Sequence, residues 1–474
     1  MMLDDATAYR ALLSRDARFD GRFFVGVRTT GIYCRPVCRV RTPKASSCQW
    51  YESAAAAEVA GFRPCLRCRP ERAPGLAPVD SSSTLAHAAA RIIEARPEVA
   101  GLAMVAERLG IGERHLRRIF QAEFGVSPVA WLQTSRLLLA KRLLAETGLP
   151  VTEVAAAAGF GSLRRLEALF RERYRMSPAS LRRSSVVAPA GALELRLDYR
   201  PPLAWSALLD FLARRAVPGV EQVEGGVYRR VVRLSASGGF TRGWIEVAAD
   251  PERAQLLLRV DPRLSRAIAP LIAAVRRQFD LDADPLAIAD ALGALAADEP
   301  GLRLPGAVDP FEQAVRAVLG QQVSVAAATT LAGRLAARFG ELVEQVPTGL
   351  ARCFPDARTL AEQDEDSLRG LGILASRARS ILALARALAE GRLALDPLAP
   401  VEPTLAALRT LPGFGEWTVQ YIGLRCLSWP DAFPHTDLII RRAFPGLSPG
   451  QVLAAAEPWR PWRGYATLHL WRRS

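Results

Sequence analysis

At 474 residues the chain exceeds one ordinary hydrophobic core, and at roughly 100–200 residues per domain it calls for three or four. Half of the residues are apolar and the formal net charge is +14; residues 1–190 carry +12 of it (29 Lys or Arg against 17 Asp or Glu), so the front of the chain suits a polyanion. The acidic Met-Met-Leu-Asp-Asp start lacks the basic-then-apolar order of a signal peptide, and no run of about 18 uncharged apolar residues offers a span, which leaves the expectation of a cytoplasmic protein with no membrane partner. Seven cysteines, an odd number, disfavour a disulfide framework in a reducing compartment and favour metal or thiol chemistry.

Residues 1–76 hold two close cysteine pairs, Cys34 with Cys38 and Cys65 with Cys68, a spacing that lets four thiolates converge on one tetrahedral Zn²⁺. Arg28, Arg35, Arg39, Arg41, Lys44, Arg63, Arg67 and Arg69 crowd these ligands and suit phosphate oxygens. Cys48, Cys353 and Cys426 have no such partners and read as core. The run Arg28-Thr29-Thr30-Gly31-Ile32-Tyr33-Cys34-Arg35-Pro36-x-Cys38, with Gly61-Phe62-Arg63-Pro64-Cys65-x-Arg67-Cys68, resembles the zinc domain of Ada-type adaptive-response proteins. That resemblance implies that Cys34 takes a methyl group from a DNA methylphosphotriester and is consumed by it, with Thr30, Arg41, Arg63 and Arg67 on the DNA. Methylating one of four zinc-bound thiolates changes the cluster charge from −2 to −1, so the transfer is also an electrostatic switch.

A Pro/Gly/Ser-rich linker, Ala73-Pro74 to Ser81-Ser82-Ser83, leads into residues 77–186, where the period becomes helical. Val105-Ala106, Gly110-Ile111-Gly112, Leu116, Ile119-Phe120 and Ser127-Pro128 recur as Val154-Ala155, Gly159-Phe160-Gly161, Leu166, Leu169-Phe170 and Ser177-Pro178. Each copy predicts a helix, a glycine turn and a second helix, whose outward Arg114, Arg117 and Arg118 in one copy and Arg164 and Arg165 in the other can address a major groove. His115 lacks a second ligand and is not read as a metal site. The duplicated pattern resembles AraC-type DNA-binding domains.

Over residues 191–285 the pattern predicts strands at Leu193–Leu197, Val227–Leu234, Gly243–Val247 and Gln255–Val260, and amphipathic helices at Trp205–Arg215 and Arg263–Phe279. No titratable cluster appears there. Tyr199-Arg200-Pro201-Pro202-Leu203-x-Trp205 and Phe211-Leu212-Ala213-x-Arg215 resemble the N-terminal domain of AlkA-type 3-methyladenine DNA glycosylases.

Residues 286–474 turn helical. Leu411-Pro412-Gly413-Phe414-Gly415 opens a helix at Trp417–Leu427, so free N–H groups and the positive dipole end suit a phosphate at Gly413 and Gly415. Asp437 follows in Pro434-His435-Thr436-Asp437, where it can also serve as the N-cap of Leu438–Phe444. These segments, with Phe311–Val325 and the tryptophan-rich end, resemble the helix-hairpin-helix glycosylases, specifically the AlkA type, over residues 193–474. The resemblance implies that Asp437 stabilises an oxocarbenium-like sugar, that Trp417, Tyr421 and Trp471 wall a pocket for a flipped base, that Thr418 lies on the DNA, and that Gln322 fills the wedge position where Leu also occurs. Carbonyls of Arg409, Leu411 and Gly413 are candidate ligands of a monovalent cation. A bifunctional lyase of this kind carries a lysine where Trp417 stands; the only lysines are Lys44 and Lys141, and no four-Cys cluster follows the hairpin, so a monofunctional glycosylase without an iron–sulfur cluster is expected.

The expectation is therefore a multidomain, mainly α protein with α+β parts: a zinc-binding methyl-acceptor domain (1–76), an all-α double helix-turn-helix domain (77–186), an α+β domain (191–285) and an all-α glycosylase domain (286–474). Its partners are alkylated and promoter double-stranded DNA, together with RNA polymerase. The rival reading is a transcription regulator whose glycosylase-like half only binds DNA.

Overall fold

The computed structural model describes residues 4–75, 85–97, 101–183, 191–236, 239–396 and 399–473. Linker residues 76–84 and the boundary at residue 186 lie outside the described residues.

The first unit is a four-stranded sheet flanked by helices Asp5–Ser14 and Ala54–Val59. Its strands β1 (Phe24–Val27), β2 (Ile32–Cys34), β3 (Cys48–Tyr51) and β4 (Arg63–Pro64) lie in the order β3-β1-β2-β4, with β2 and β4 parallel and the other pairs antiparallel. Gly26 is required in β1, because a Cβ there would stand 2.8 Å from the Tyr51 ring and 2.9 Å from that of Phe62.

Two helix-turn-helix units follow. Helices Leu102–Arg108 and Glu113–Phe124 form the first, Val151–Ala157 and Leu163–Tyr174 the second, and the 19-residue helix Pro128–Glu146 joins them. Gly110 (φ 67°) and Gly159 (φ 79°) make the corresponding turns, a conformation only glycine adopts without strain. The repeats differ in what they pack against. The first closes a core around Leu116, Phe120 and Phe124, with Trp131 at the edge and Ala55 of the zinc module joining it. Leu166, Phe170 and Tyr174 of the second belong to the same apolar cluster as Leu195, Val247, Leu258 and Phe279 of the α+β unit.

That unit is a five-stranded antiparallel sheet, order β5-β9-β8-β7-β6, with β5 Leu193–Asp198, β6 Glu221–Glu224, β7 Val227–Ala236, β8 Gly239–Asp250 and β9 Gln255–Val260. All four predicted strands are present. β6 was not predicted: its Glu-Gln-Val-Glu sequence has no apolar alternation, and it is held because buried Glu221 is gripped by Arg230 and Arg316. The helix predicted at Arg263–Phe279 is corrected to Ile268–Gln278 after a 3₁₀ stretch, Pro262–Ala267. Thr241 Oγ1 donates to Arg263 O, and Asp261 caps Arg263, which keeps the first turns tight.

The last unit packs helices around two further apolar clusters, one beneath Pro310–Leu319 and Ala375–Ala389, the other beneath Arg463–Arg472. No helix among the described residues is long and apolar enough to cross a membrane.

Candidate functional site

Two sites emerge. In the first, one sulfur atom each from Cys34, Cys38, Cys65 and Cys68 lies within 4.8 Å of the others. β2 delivers Cys34 and β4 runs beside it, with Cys65 N donating to Tyr33 O at 3.0 Å and Arg35 N to Cys68 Sγ at 3.4 Å. Zn–S bonds of about 2.3 Å place tetrahedral sulfurs roughly 3.8 Å apart, so four thiols converging this closely fit one zinc ion. Cys48 lies outside the cluster.

Around it Arg28, Thr30, Arg39, Arg41, Lys44 and Arg67 are exposed and Arg63 is half-exposed. Arg35 and Arg69 depart from the expected phosphate-facing ring. Arg35 is only 5% exposed: its Nε donates to Asp20 Oδ1 at 2.8 Å and its Nη1 reaches Asp198 Oδ2, on β5, at 2.7 Å. Arg69 pairs with Glu71 and Glu146. These two guanidiniums face other parts of the protein, because buried carboxylates stand opposite them. On the second helices of the repeats, Arg114, Arg117, Arg118, Arg164 and Arg165 are all exposed; Arg117 pairs within its helix with Glu113 at 3.2 Å, and Arg118 approaches His115 Nδ1 at 3.1 Å.

The second site is organised by the helix Glu416–Arg425. Gly413, at φ 80°, makes the turn before it; a Cβ there would lie 2.2 Å from Ser380 Oγ. The helix then presents Trp417 and Tyr421, one turn apart on one face, with ring centroids 5.1 Å apart and planes within 21°. Asp437 sits at the N-terminus of Leu438–Ala443. Its Oδ1 accepts from Ile439 N at 2.9 Å and Ile440 N at 3.2 Å, so it does cap the helix. The same carboxylate takes two indole N–H groups: Trp417 Nε1 to Oδ2 at 2.7 Å and Trp471 Nε1 to Oδ1 at 3.2 Å. Capping therefore leaves the carboxylate able to hold both indoles, and it is half-buried and fixed in one orientation beside three aromatic rings.

Sequence reasoning did not identify the wall behind those rings. Phe211, from the α+β unit, lies nearly parallel to Trp471 (6.4 Å, 13°) and has Arg215 over its face at 3.8 Å and Arg425 at 4.9 Å. Arg425 Nη1 donates to Tyr421 Oη at 3.0 Å. Burial opposes ionisation of the Tyr421 phenol, but the charges of Arg425, Arg215 and Arg316 outweigh it and hold its pKa below the usual tyrosine value. Phe211 is about two hundred residues upstream, and only its place in the AlkA-like segment could have pointed to it.

Thr418 requires a correction. It is 2% exposed, and its hydroxyl accepts from Gln321 Nε2 at 2.9 Å, so it braces the hairpin from inside. Gln322 is exposed at φ 53°. Two of the three carbonyls considered for a cation have protein donors: Leu411 O accepts from Phe414 N, and Gly413 O from Gln321.

Comparison with known proteins follows the same divisions. Four family models match: the metal-binding domain of Ada over residues 7–71, a helix-turn-helix domain over 105–184, the AlkA N-terminal domain over 194–309 and the HhH-GPD superfamily base excision DNA repair protein over 315–449. A probable bifunctional transcriptional activator/DNA repair enzyme AlkA of Mycobacterium tuberculosis is 41% identical over 99% of this chain and 96% of its own. DNA-3-methyladenine glycosylase 2 of Escherichia coli is 42% identical over 58% of this chain and 95% of its own. A solved structure of the 3-methyladenine DNA-glycosylase from Archaeoglobus fulgidus shares the fold, with a TM-score of 0.50 at 22% identity over 58% of this chain and 97% of that one.

Fold and sites together define a DNA-binding protein that joins an Ada-type zinc module and a helix-turn-helix pair to a helix-hairpin-helix base-excision unit. The chain belongs to the family of bifunctional transcriptional activator/DNA repair AlkA proteins.

Proposed function

We propose that the protein answers DNA alkylation damage in three ways: by accepting a methyl group at Cys34, by regulating transcription through its helix-turn-helix pair, and by excising alkylated bases such as 3-methyladenine at Asp437. The proposed units are residues 1–76, 77–186, 191–285 and 286–474.

For the glycosylase the supporting observation is the carboxylate of Asp437 held between two indole N–H groups at a cluster of aromatic rings. An alkylated purine already carries positive charge, so it leaves with the glycosidic electron pair and needs no strong acid. Asp437 then faces the cationic sugar and stabilises it until water adds and loses a proton. Trp417, Tyr421 and Trp471 sandwich the electron-poor base. Gly413 and Gly415 hold the strand through free backbone N–H groups, and Gln322 occupies the gap. No lysine exists in this half to form a Schiff base with the sugar, so the chemistry is hydrolysis without strand cleavage.

Cys34, Cys38, Cys65 and Cys68 would hold a zinc ion, which would keep their sulfurs as thiolates near neutral pH. The Cys34 sulfur attacks the methyl carbon, the methyl C–O bond breaks, and the phosphodiester leaves with the electron pair. Thr30, Arg41, Arg63 and Arg67 hold the neighbouring backbone. Arg114, Arg117, Arg118, Arg164 and Arg165 carry promoter binding, and engagement of RNA polymerase belongs to the same proposal.

Alkylated duplex incubated with the wild type gains abasic sites, and with Asp437→Asn it does not; equal release by both rejects the mechanism. Methylphosphotriester DNA adds a single methyl to Cys34 by mass spectrometry, and methyl on Cys38 instead rejects that assignment.

A further inference from the structure

Two loops of the helical unit are tied together: residues 320–324, which carry Gln322, and the hairpin 411–415. Gln321 joins them. Its side-chain amide donates one hydrogen to Gly413 O at 2.8 Å and the other to Thr418 Oγ1 at 2.9 Å, so both N–H bonds are spent on the hairpin and the helix it opens. On its other side, the buried guanidinium of Arg377 donates to the Gln321 carbonyl. Gln321 is thus held at backbone and side chain, and the next residue, Gln322, sits in the left-handed region that non-glycine residues rarely adopt. Such a conformation persists only where the surroundings over-determine it, and Gln321 supplies that constraint.

We propose that Gln321 is a positioning residue that locks the wedge loop to the strand-gripping hairpin, so that Gln322 enters the base stack at a fixed distance from the phosphate held at Gly413 and Gly415. The inference rests on the glycosylase reading above. A wedge and a phosphate grip act on one nucleotide only when their separation matches the backbone repeat. Two neutral hydrogen bonds from one planar amide set that separation more tightly than an apolar contact can, because they fix direction as well as distance. Thr418, expected on the DNA, acts in this scheme as an anchor for the amide.

The test uses the full-length, zinc-loaded protein. Gln321→Met keeps length and volume but donates nothing; Thr418→Val removes one acceptor from the hairpin side and leaves the wedge loop unchanged in sequence. Two readouts are taken: single-turnover base release from dimethyl-sulfate-treated duplex, and fluorescence of 2-aminopurine beside a tetrahydrofuran abasic analogue, which reports insertion into the stack. In both variants we expect the single-turnover rate to fall at least tenfold and the 2-aminopurine signal to drop by half or more, with a melting temperature within a few degrees of wild type. A role confined to packing would lower the melting temperature and leave the insertion signal of the folded protein intact, and that outcome overturns the proposal. So does a Gln321→Met protein that releases bases and inserts like wild type. Failure of the wild type itself to release bases is a different result, and it overturns the glycosylase reading.

Discussion

Trp417 Nε1 donates to Asp437 Oδ2 at 2.7 Å, and this bond joins the two ends of the hairpin site. The indole is twenty residues before the carboxylate, on the helix that the glycine turn opens, so this bond ties Asp437, at the head of the next helix, to the helix behind the proposed strand grip. On the proposed glycosylase mechanism Trp417 has two separable duties, stacking and orientation of Asp437. Trp417→Phe retains a ring but cannot donate. We expect its single-turnover base release to fall by about 10- to 100-fold, the scale of a misplaced reacting group, with much less effect on binding of an abasic duplex. Trp471→Phe should be milder, since its longer 3.2 Å bond goes to Oδ1, which two backbone N–H groups already hold. Single-turnover kinetics on alkylated duplex decide this, and equal rates for Trp417→Phe and wild type reject the orienting role.

The thiol cluster gives a prediction about stoichiometry. Cys34, Cys38, Cys65 and Cys68 converge, whereas Cys48 stands apart with its sulfur against Lys44 O at 3.4 Å. Elemental analysis of purified protein should find one zinc per chain in wild type and in Cys48→Ala. Cys38→Ala should lose most of it, because three thiolates leave the tetrahedron open to water and chelators. Full zinc retention in Cys38→Ala would show that the metal is held elsewhere.

What was legible in the sequence was local or periodic. Paired cysteines, glycine turns that recur as one short motif, and alternating strands are each patterns that a few neighbouring residues carry, and the structure forms all of them. The same reading treated every arginine near the cysteines as solvent-facing, since charge near a ligand carries no direction. Arg35 and Arg69 instead turn toward Asp20, Asp198, Glu71 and Glu146, partners up to 163 residues away in the chain. Thr418 went wrong for the same reason: a hydroxyl beside a phosphate-gripping turn looks available until Gln321, 97 residues earlier, is seen to use it. Strand β6 and the Phe211 wall likewise depend on residues that meet only after folding.

Asp198 is one of the acceptors through which the zinc module docks on the sheet unit, beside Asp282 and Asp284. Its Oδ2 takes Arg35 Nη1 at 2.7 Å and its Oδ1 lies 2.9 Å from Arg72 Nη2, all three side chains being largely buried. Removing one partner of a buried ion pair leaves the other charge desolvated, at a cost of roughly 3–5 kcal/mol. Asp198→Ala should therefore destabilise the protein by about that amount and loosen the zinc module first, seen as earlier proteolysis within residues 4–75 and faster amide exchange there. Unchanged melting and exchange would mean that the Asp198 pairs carry none of the docking, which the other contacts between the units then supply.

Glu58 gives the pH dependence its sign. It is 3% exposed and takes the hydroxyls of Tyr33 (3.1 Å), Thr134 (3.1 Å) and Tyr174 (3.2 Å), so the zinc module, the joining helix and the second repeat meet on one carboxyl. Burial raises its pKa from 4.5 to about 7, against the opposing pull of those hydrogen bonds and of Arg173. A value raised in the folded state means that folding favours the proton: the contribution is complete below about pH 4.5 and disappears as pH climbs through about 7. The span corresponds to about 3 kcal/mol. Asp280, buried and raised by burial to about 6, adds to the same trend, so the variant should remove only part of the slope. Glu58→Gln keeps the shape and cannot ionise. Between pH 5 and 8 wild type should lose stability more steeply than Glu58→Gln, with the two melting curves diverging most above pH 7. Calorimetric melting at four or five pH values in this window provides the check, and parallel profiles would show that Glu58 keeps one protonation state throughout.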